Sequence, residues 1–145
     1  MASVSEPVVL LYKSDMCHHS KQLMHMWDDI ITEIKSVYPK LRFHVLTSSN
    51  NSGKFDENVA PKSLIKYAKW FPMILLVPGK VWDEGMSNLG PENGIEIKEG
   101  VQIMNGVWKG DDFKYEQKYN NKRVGDYMEW IKDGLNNEEF KRVQE

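Results

Sequence analysis

The chain reads as an α/β protein with a mixed central sheet flanked by helices, in one domain over 1–145. Two observations predict this. Short, continuously apolar runs alternate with stretches of helical period, in the order strand, helix, strand, short helix, strand, further strands, helix. The main runs are apolar at successive positions rather than at every second one, which marks strands covered on both faces.

Val8-Val9-Leu10-Leu11-Tyr12 is the first such strand. From His18 to Tyr38 the period changes: Leu23, Met26, Trp27, Ile30, Ile31, Ile34 and Val37 recur at spacings of three and four, the apolar face of a helix. Pro39 ends it. At ~1.5 Å per residue this helix spans about 30 Å, the width of a small domain. Leu41 to Leu46 alternates and is β-rich, a second strand that should lie parallel to the first by a right-handed crossover. The polar run from Thr47 to Glu57 reads as a surface loop. Pro61 then opens a short helix through Ala68, since proline suits the first helical position.

Phe71 to Val77 is a third buried strand, closed by Pro78-Gly79. Lys80 to Gly100 carries Gly85, Gly90 and Gly94 with little periodicity, so an inserted, decorated loop is expected over about 80–110. Val101 to Trp108 and Phe113 to Tyr119 are candidate strands around a Lys109-Gly110-Asp111 turn. They close the sheet antiparallel. A final helix over Arg123 to Leu135 presents Val124, Tyr127, Met128, Ile131 and Leu135 on one face.

The 145 residues are 41% hydrophobic and 28% charged, which is the balance of a soluble globular protein able to bury a core. A net charge of −2 argues against nucleic-acid binding through a general basic field. The longest apolar runs are too short to span a bilayer, so no membrane partner is expected. The first seven residues lack the basic-then-apolar order of a secretory signal. The chain has one cysteine, which excludes an internal disulfide and fits a reducing, cytoplasmic setting.

That cysteine, Cys17, is the residue from which function is best argued. It falls between the first strand and the long helix, in Lys13-Ser14-Asp15-Met16-Cys17-His18-His19-Ser20-Lys21. A thiol at a helix start lies near unpaired backbone N–H groups and the positive end of the helix dipole. Both favour the thiolate, which is the nucleophile. Asp15 opposes this, and Lys13 and Lys21 offset it. The alternative is a buried, inert thiol. A metal site on Cys17, His18 and His19 is disfavoured, because consecutive helical side chains diverge by about 100°. His25 is most simply solvated.

The order of elements, with Cys17 at the first strand–helix junction and Pro72 opening a later apolar strand, resembles the thioredoxin-like superfamily. Cys17-His18-His19-Ser20 sits on the C-x-x-C position, with Ser20 in place of the resolving cysteine. Phe71-Pro72-Met73-Ile74-Leu75-Leu76 is similar to the strand that begins with a cis-proline. Tyr119-Asn120-Asn121-Lys122-Arg123 resembles the Tyr-x-Gly-x-Arg turn before the last helix of disulfide-isomerase-type domains. The decorated loop and the Asn- and Lys-rich composition also resemble thioredoxin-like proteins of giant DNA viruses.

The resemblance implies a monothiol thiol-disulfide oxidoreductase or isomerase. Cys17 would be the nucleophile and His18 a donor to its thiolate. Ser20, one helical turn on, would donate a hydrogen bond to it. Lys13, Trp70, Phe71 and Pro72 would bind substrate, a protein or peptide thiol or disulfide. No tightly bound cofactor is implied, and glutathione is the candidate co-substrate. The competing reading is a non-catalytic protein-binding module that uses the Pro72 cleft and the 80–110 insertion. The fold alone does not separate the two.

Overall fold

The structure, a computed structural model, describes residues 5–14, 17–48, 70, 72–87, 100–109 and 112–145. The elements are β1 (Val8–Ser14), α1 (His18–Val37), β2 (Arg42–Ser48), β3 (Met73–Val77), α2 (Gly79–Ser87), β4 (Gln102–Ile103), β5 (Gly106–Lys109), β6 (Asp112–Tyr115), α3 (Val124–Leu135) and α4 (Glu138–Gln144).

Four strands form one sheet in the order β2-β1-β3-β4, and β5 and β6 form a separate hairpin. β1 runs parallel to β2, with Val8 opposite Arg42. β3 returns antiparallel to β1, with Val8 opposite Val77 and Tyr12 opposite Met73. β4 is antiparallel to β3. The predicted parallel opening is present and β4 closes the sheet antiparallel, but residues 106–109 and 112–115, expected to close it as well, pair only with each other.

The strand pleat divides each apolar run between two cores. Val9, Leu11, Ile74 and Leu76 face one side, where Leu23, Trp27, Ile30 and Ile34 of α1 meet Tyr127, Trp130 and Ile131 of α3 and Phe140 of α4. Val8, Leu10, Tyr12, Met73, Leu75 and Val77 face the other, under Val81 and Trp82 of α2 and Phe113 of β6. Neither face meets water, so alternation never appears in the sequence of β1 or β3.

Val37, expected on the buried face of α1, is 58% exposed. It stands in the last turn of α1. There it lines an open groove of about 500 Å³ with Pro7, Leu41, Leu135 and Phe140.

Four further differences from the sequence reading have physical causes. Residues 79–87, expected as the start of a loop, form α2. Val81 and Trp82 bury against the sheet, and the Trp82 N–H donates to the Pro78 carbonyl at 3.0 Å. Only sheet contact supports so short and glycine-bearing a helix. Residues 101–108 are two strands rather than one, broken at Met104-Asn105, where Asn105 has φ 58°. Residues 116–119, expected to continue a strand, leave the hairpin and wrap around Asn105. Finally, α4 follows the helix expected to be last. Asn137 caps it by accepting the Phe140 N–H at 3.1 Å, and Glu138 and Glu139 occupy its first turn. The short helix expected over 61–68 and the Lys109-Gly110-Asp111 turn lie outside the described residues or depend on them.

Asn105 is the hub of the second half of the chain. Its Oδ1 accepts the Lys118 and Tyr119 N–H groups, both at 2.8 Å, and its Nδ2 donates to the Tyr119 carbonyl at 3.1 Å. Its own carbonyl accepts the Glu116 N–H at 2.8 Å. Asparagine tolerates the left-handed region better than most residues and can satisfy three backbone groups there. Gly106 must follow it, because a Cβ at that position would stand 2.8 Å from Ile103 Cγ2.

Two predictions follow from this packing. Asn105→Ala should cost at least about 2 kcal/mol in denaturant unfolding, since it orphans buried backbone groups and strains the turn. Asn105→Gly should be the less damaged variant, because it keeps the permitted backbone. Equal losses would show that φ at this site carries no strain. Burial also raises the phenols of Tyr12, Tyr119 and Tyr127 above the ordinary tyrosine value, and Tyr119 is raised further by the bond it donates to Asp133 at 2.5 Å. The folded state therefore favours the neutral phenols. The stability they supply is complete below pH about 10, where unfolded phenols ionise, and falls as pH rises beyond it. In an absorbance titration, three of the six tyrosines should resist ionisation until the chain unfolds. Six phenols titrating together on folded protein would contradict this.

Candidate functional site

β1 delivers the chain to one end of the sheet, and α1 starts there. Cys17 is the N-cap residue of α1, in extended conformation with φ −94° and ψ 125°. Its N–H donates to the Ser14 carbonyl at 3.1 Å, and its carbonyl accepts the Lys21 N–H at 3.1 Å. Cys17 is thus fixed at both backbone ends, between the last residue of the strand and the first turn of the helix. Its side chain makes no capping hydrogen bond to that turn. The residue is half-buried, and no acidic side chain occupies the first helical turn.

Ser20 stands three residues on and is 1% exposed. Its Oγ accepts the N–H of Ser14, itself buried, at 3.2 Å. The hydroxyl closes the strand–helix junction by accepting from a backbone donor at the end of β1. Ser14 is a member of the site that the sequence reading missed. No local pattern signals it, because the bond joins the end of one element to the inside of the next.

His18 and His19 are both exposed, with ring centroids 6.0 Å apart and tilted by 58°. Lys13 is half-buried in β1, opposite Thr47 of β2. The β1–β3 pairing ends at Tyr12 and Met73. Pro72 immediately precedes β3, at the sheet end from which α1 departs. Pro72 is half-buried, and Phe71, with its peptide bond to Pro72, lies outside the described residues.

Trp70 is turned into structure rather than left as an open wall. It packs onto the Tyr12–Met73 face of the sheet and meets Phe113 and Tyr115 of β6 edge-to-face, at centroid distances of 5.5 and 5.4 Å. Trp108 of β5 meets Phe113 in the same way at 5.2 Å. The turn before α3 is also ordered. Asn120 Oδ1 accepts the Lys122 N–H at 2.9 Å, and exposed Arg123 is the helix N-cap residue. Among the described residues, no group of three or more His, Cys, Asp or Glu side chains is placed to hold a metal ion. Among the same residues, no helix is long and apolar enough to cross a membrane.

The β2-β1-β3-β4 order, with one parallel and two antiparallel pairings and helices on the sheet, is a mixed α/β fold consistent with a thioredoxin-like domain. Its single thiol stands at the first strand–helix junction. No protein-family model matches the chain, and no curated protein matches it. Among solved structures, the zinc-bound form of human ERp44 is similar over 89% of this chain, with 14% identity and a TM-score of 0.47. The matched region spans 26% of that longer chain.

The Cys17 to Ser20 geometry yields a direct test of the C-x-x-S alignment. Residues three apart on a helix share a face, within bridging distance for cysteines. Ser20→Cys should form an intramolecular disulfide with Cys17 on oxidation, losing two titratable thiols and regaining them with reductant. Intermolecular dimers alone would show that the two side chains do not face each other. Ser20→Ala should lower stability by about 1–3 kcal/mol, because it leaves the buried Ser14 N–H without its acceptor.

Proposed function

We propose that this protein is a monothiol thiol-disulfide oxidoreductase or isomerase acting through a mixed disulfide at Cys17. The observation that carries the reading is the placement of Cys17. It is a half-buried residue at the N-cap of a 20-residue helix. Helix N–H groups and the dipole favour negative charge at that point. Pro72, at the same end of the sheet by register, supplies the neighbouring backbone edge.

In the proposed cycle the Cys17 thiolate attacks one sulfur of a substrate disulfide. The Cys17–substrate S–S bond forms, the original S–S bond breaks, and the other substrate sulfur leaves as thiolate and takes a proton from water. A second thiol, with glutathione as the candidate, then attacks the substrate sulfur of the mixed disulfide. This returns Cys17 as thiolate and carries the substrate away as a disulfide with glutathione. Redox equivalents balance, because each step exchanges one thiol for another. Ser20 replaces a resolving cysteine, so release requires that external thiol. His18 is proposed as a donor to the Cys17 thiolate, and Ser20 as the residue that holds the junction at the correct spacing. Lys13, Phe71 and Pro72 would line the path of a protein or peptide substrate, pairing through main-chain hydrogen bonds.

The test is turnover of a peptide–glutathione mixed disulfide with reduced glutathione, beside Cys17→Ala: attack on the glutathione sulfur releases the peptide as thiol, and reduced glutathione then frees Cys17 and leaves as glutathione disulfide. The native chain should turn over and trap a covalent intermediate visible as added mass. Cys17→Ala should fall to the uncatalysed rate. Equal rates for the two proteins would end the enzymatic reading.

A further inference from the structure

The hairpin of β5 and β6 belongs to no strand of the main sheet, yet it is fastened to the segment that leads into Pro72. In its register Gly106 faces Tyr115 and Trp108 faces Phe113. The strand period places these four residues on one side of the hairpin, and Val107, Lys109 and Lys114 on the other. The first side carries the aromatic rings, and Trp70 meets two of them edge-to-face. Phe113 is fully buried, so it anchors the hairpin to the core. Tyr115 is 49% exposed and adds little to that core, yet its ring meets the Trp70 indole edge-to-face.

We infer that Tyr115 is a positioning residue for substrate: it holds Trp70, and through Trp70 the chain at Pro72, in the place where a peptide beside Cys17 would lie. The inference rests on the proposed exchange at Cys17 and deepens it, because it makes the substrate an extended peptide rather than a bare low-molecular-weight disulfide. Trp70 precedes Pro72 by two residues, which limits their Cα separation to about 7 Å. An indole held by two rings therefore restrains the chain that leads to the proline. Edge-to-face pairs have defined geometry and a stabilisation beyond their buried area, so the restraint is directional rather than a general apolar contact. Tyr115 has no part in the thiol chemistry. It belongs to β6, while Cys17 and its backbone partners belong to β1 and α1.

The experiment compares two substrates on the full chain: a short peptide in mixed disulfide with glutathione, and bis(2-hydroxyethyl) disulfide, which is too small to use the Pro72 edge. Tyr115→Leu should raise KM for the peptide about three- to tenfold, the value of one aromatic pair, with kcat unchanged. Its rate with the small disulfide should equal that of the native chain. Tyr115→Phe should restore the native KM, because the ring rather than the hydroxyl makes the contact. Trp70→Leu should raise the peptide KM at least as far, and the double variant should be no worse than the worse single one, because both remove one interaction.

An unchanged peptide KM in Tyr115→Leu, while the native chain turns over, overturns the inference and leaves the exchange reading intact. A Tyr115→Leu chain that loses activity on both substrates, or loses its fold, overturns it too, since the ring would then hold the structure as a whole. A native chain inactive on both substrates overturns the exchange reading, and the inference with it.

Discussion

Burial of the β1–β3 pair on both faces is the constraint on which the rest of the molecule depends. Val8 to Tyr12 and Met73 to Val77 are all buried, and the pleat sends their side chains alternately to opposite sides. Leaving either side in water would forfeit about 1.5–3 kcal/mol for each large apolar side chain exposed. The chain must therefore supply two covers from what remains. The long α1 with α3 and α4 makes one. The short α2 with the β5–β6 hairpin makes the other.

The thiol inherits its rigidity from that arrangement. α1 is pressed to the sheet along about three turns by Leu23, Trp27, Ile30 and Ile34, so its N-terminus cannot shift without moving a core. The Ser14–Ser20 hydrogen bond then ties the first turn to the strand end, beside the Cys17–Ser14 backbone bond. A reactive group on a helix start braced in this way is held more closely than one on a free loop. The same reasoning applies at the second cover, where the hairpin's aromatic rings grip Trp70 next to Pro72.

Chain ends and crossings are secured by polar side chains acting at long range. Gln144 donates to the Ser5 carbonyl and accepts the Gly79 N–H, both at 2.7 Å, so α4 clamps the approach to β1 against the start of α2. Gly79 has no alternative there, since a Cβ would stand 2.1 Å from the Ser5 carbonyl oxygen. Arg42 Nη2 reaches the Glu6 carbonyl at 2.7 Å and Nη1 meets Asp83 at 3.2 Å, joining β2 to the same corner. Each of these groups is unremarkable in sequence and gains its meaning only from a partner tens of residues away.

The sequence by itself determined the elements whose signal is local. β1 and β3 were legible as unbroken apolar runs, α1 as a face repeating at three and four, and α3 likewise. The parallel-then-antiparallel order and the place of Cys17 at the junction follow from these. What only the tertiary structure decided are the features that a distant surface supports. α2 is a helix because the sheet buries Val81 and Trp82. The break at Asn105 exists because residues 116–119 wrap around its side chain, and Ser20 is engaged by Ser14 rather than merely starting a helix. Trp70 belongs to the hairpin through Phe113 and Tyr115, which lie more than forty residues downstream. The difference is physical. Periodicity records which face of an element avoids water, whereas a hydrogen bond or ring contact between remote segments depends on geometry that exists only once the core has closed.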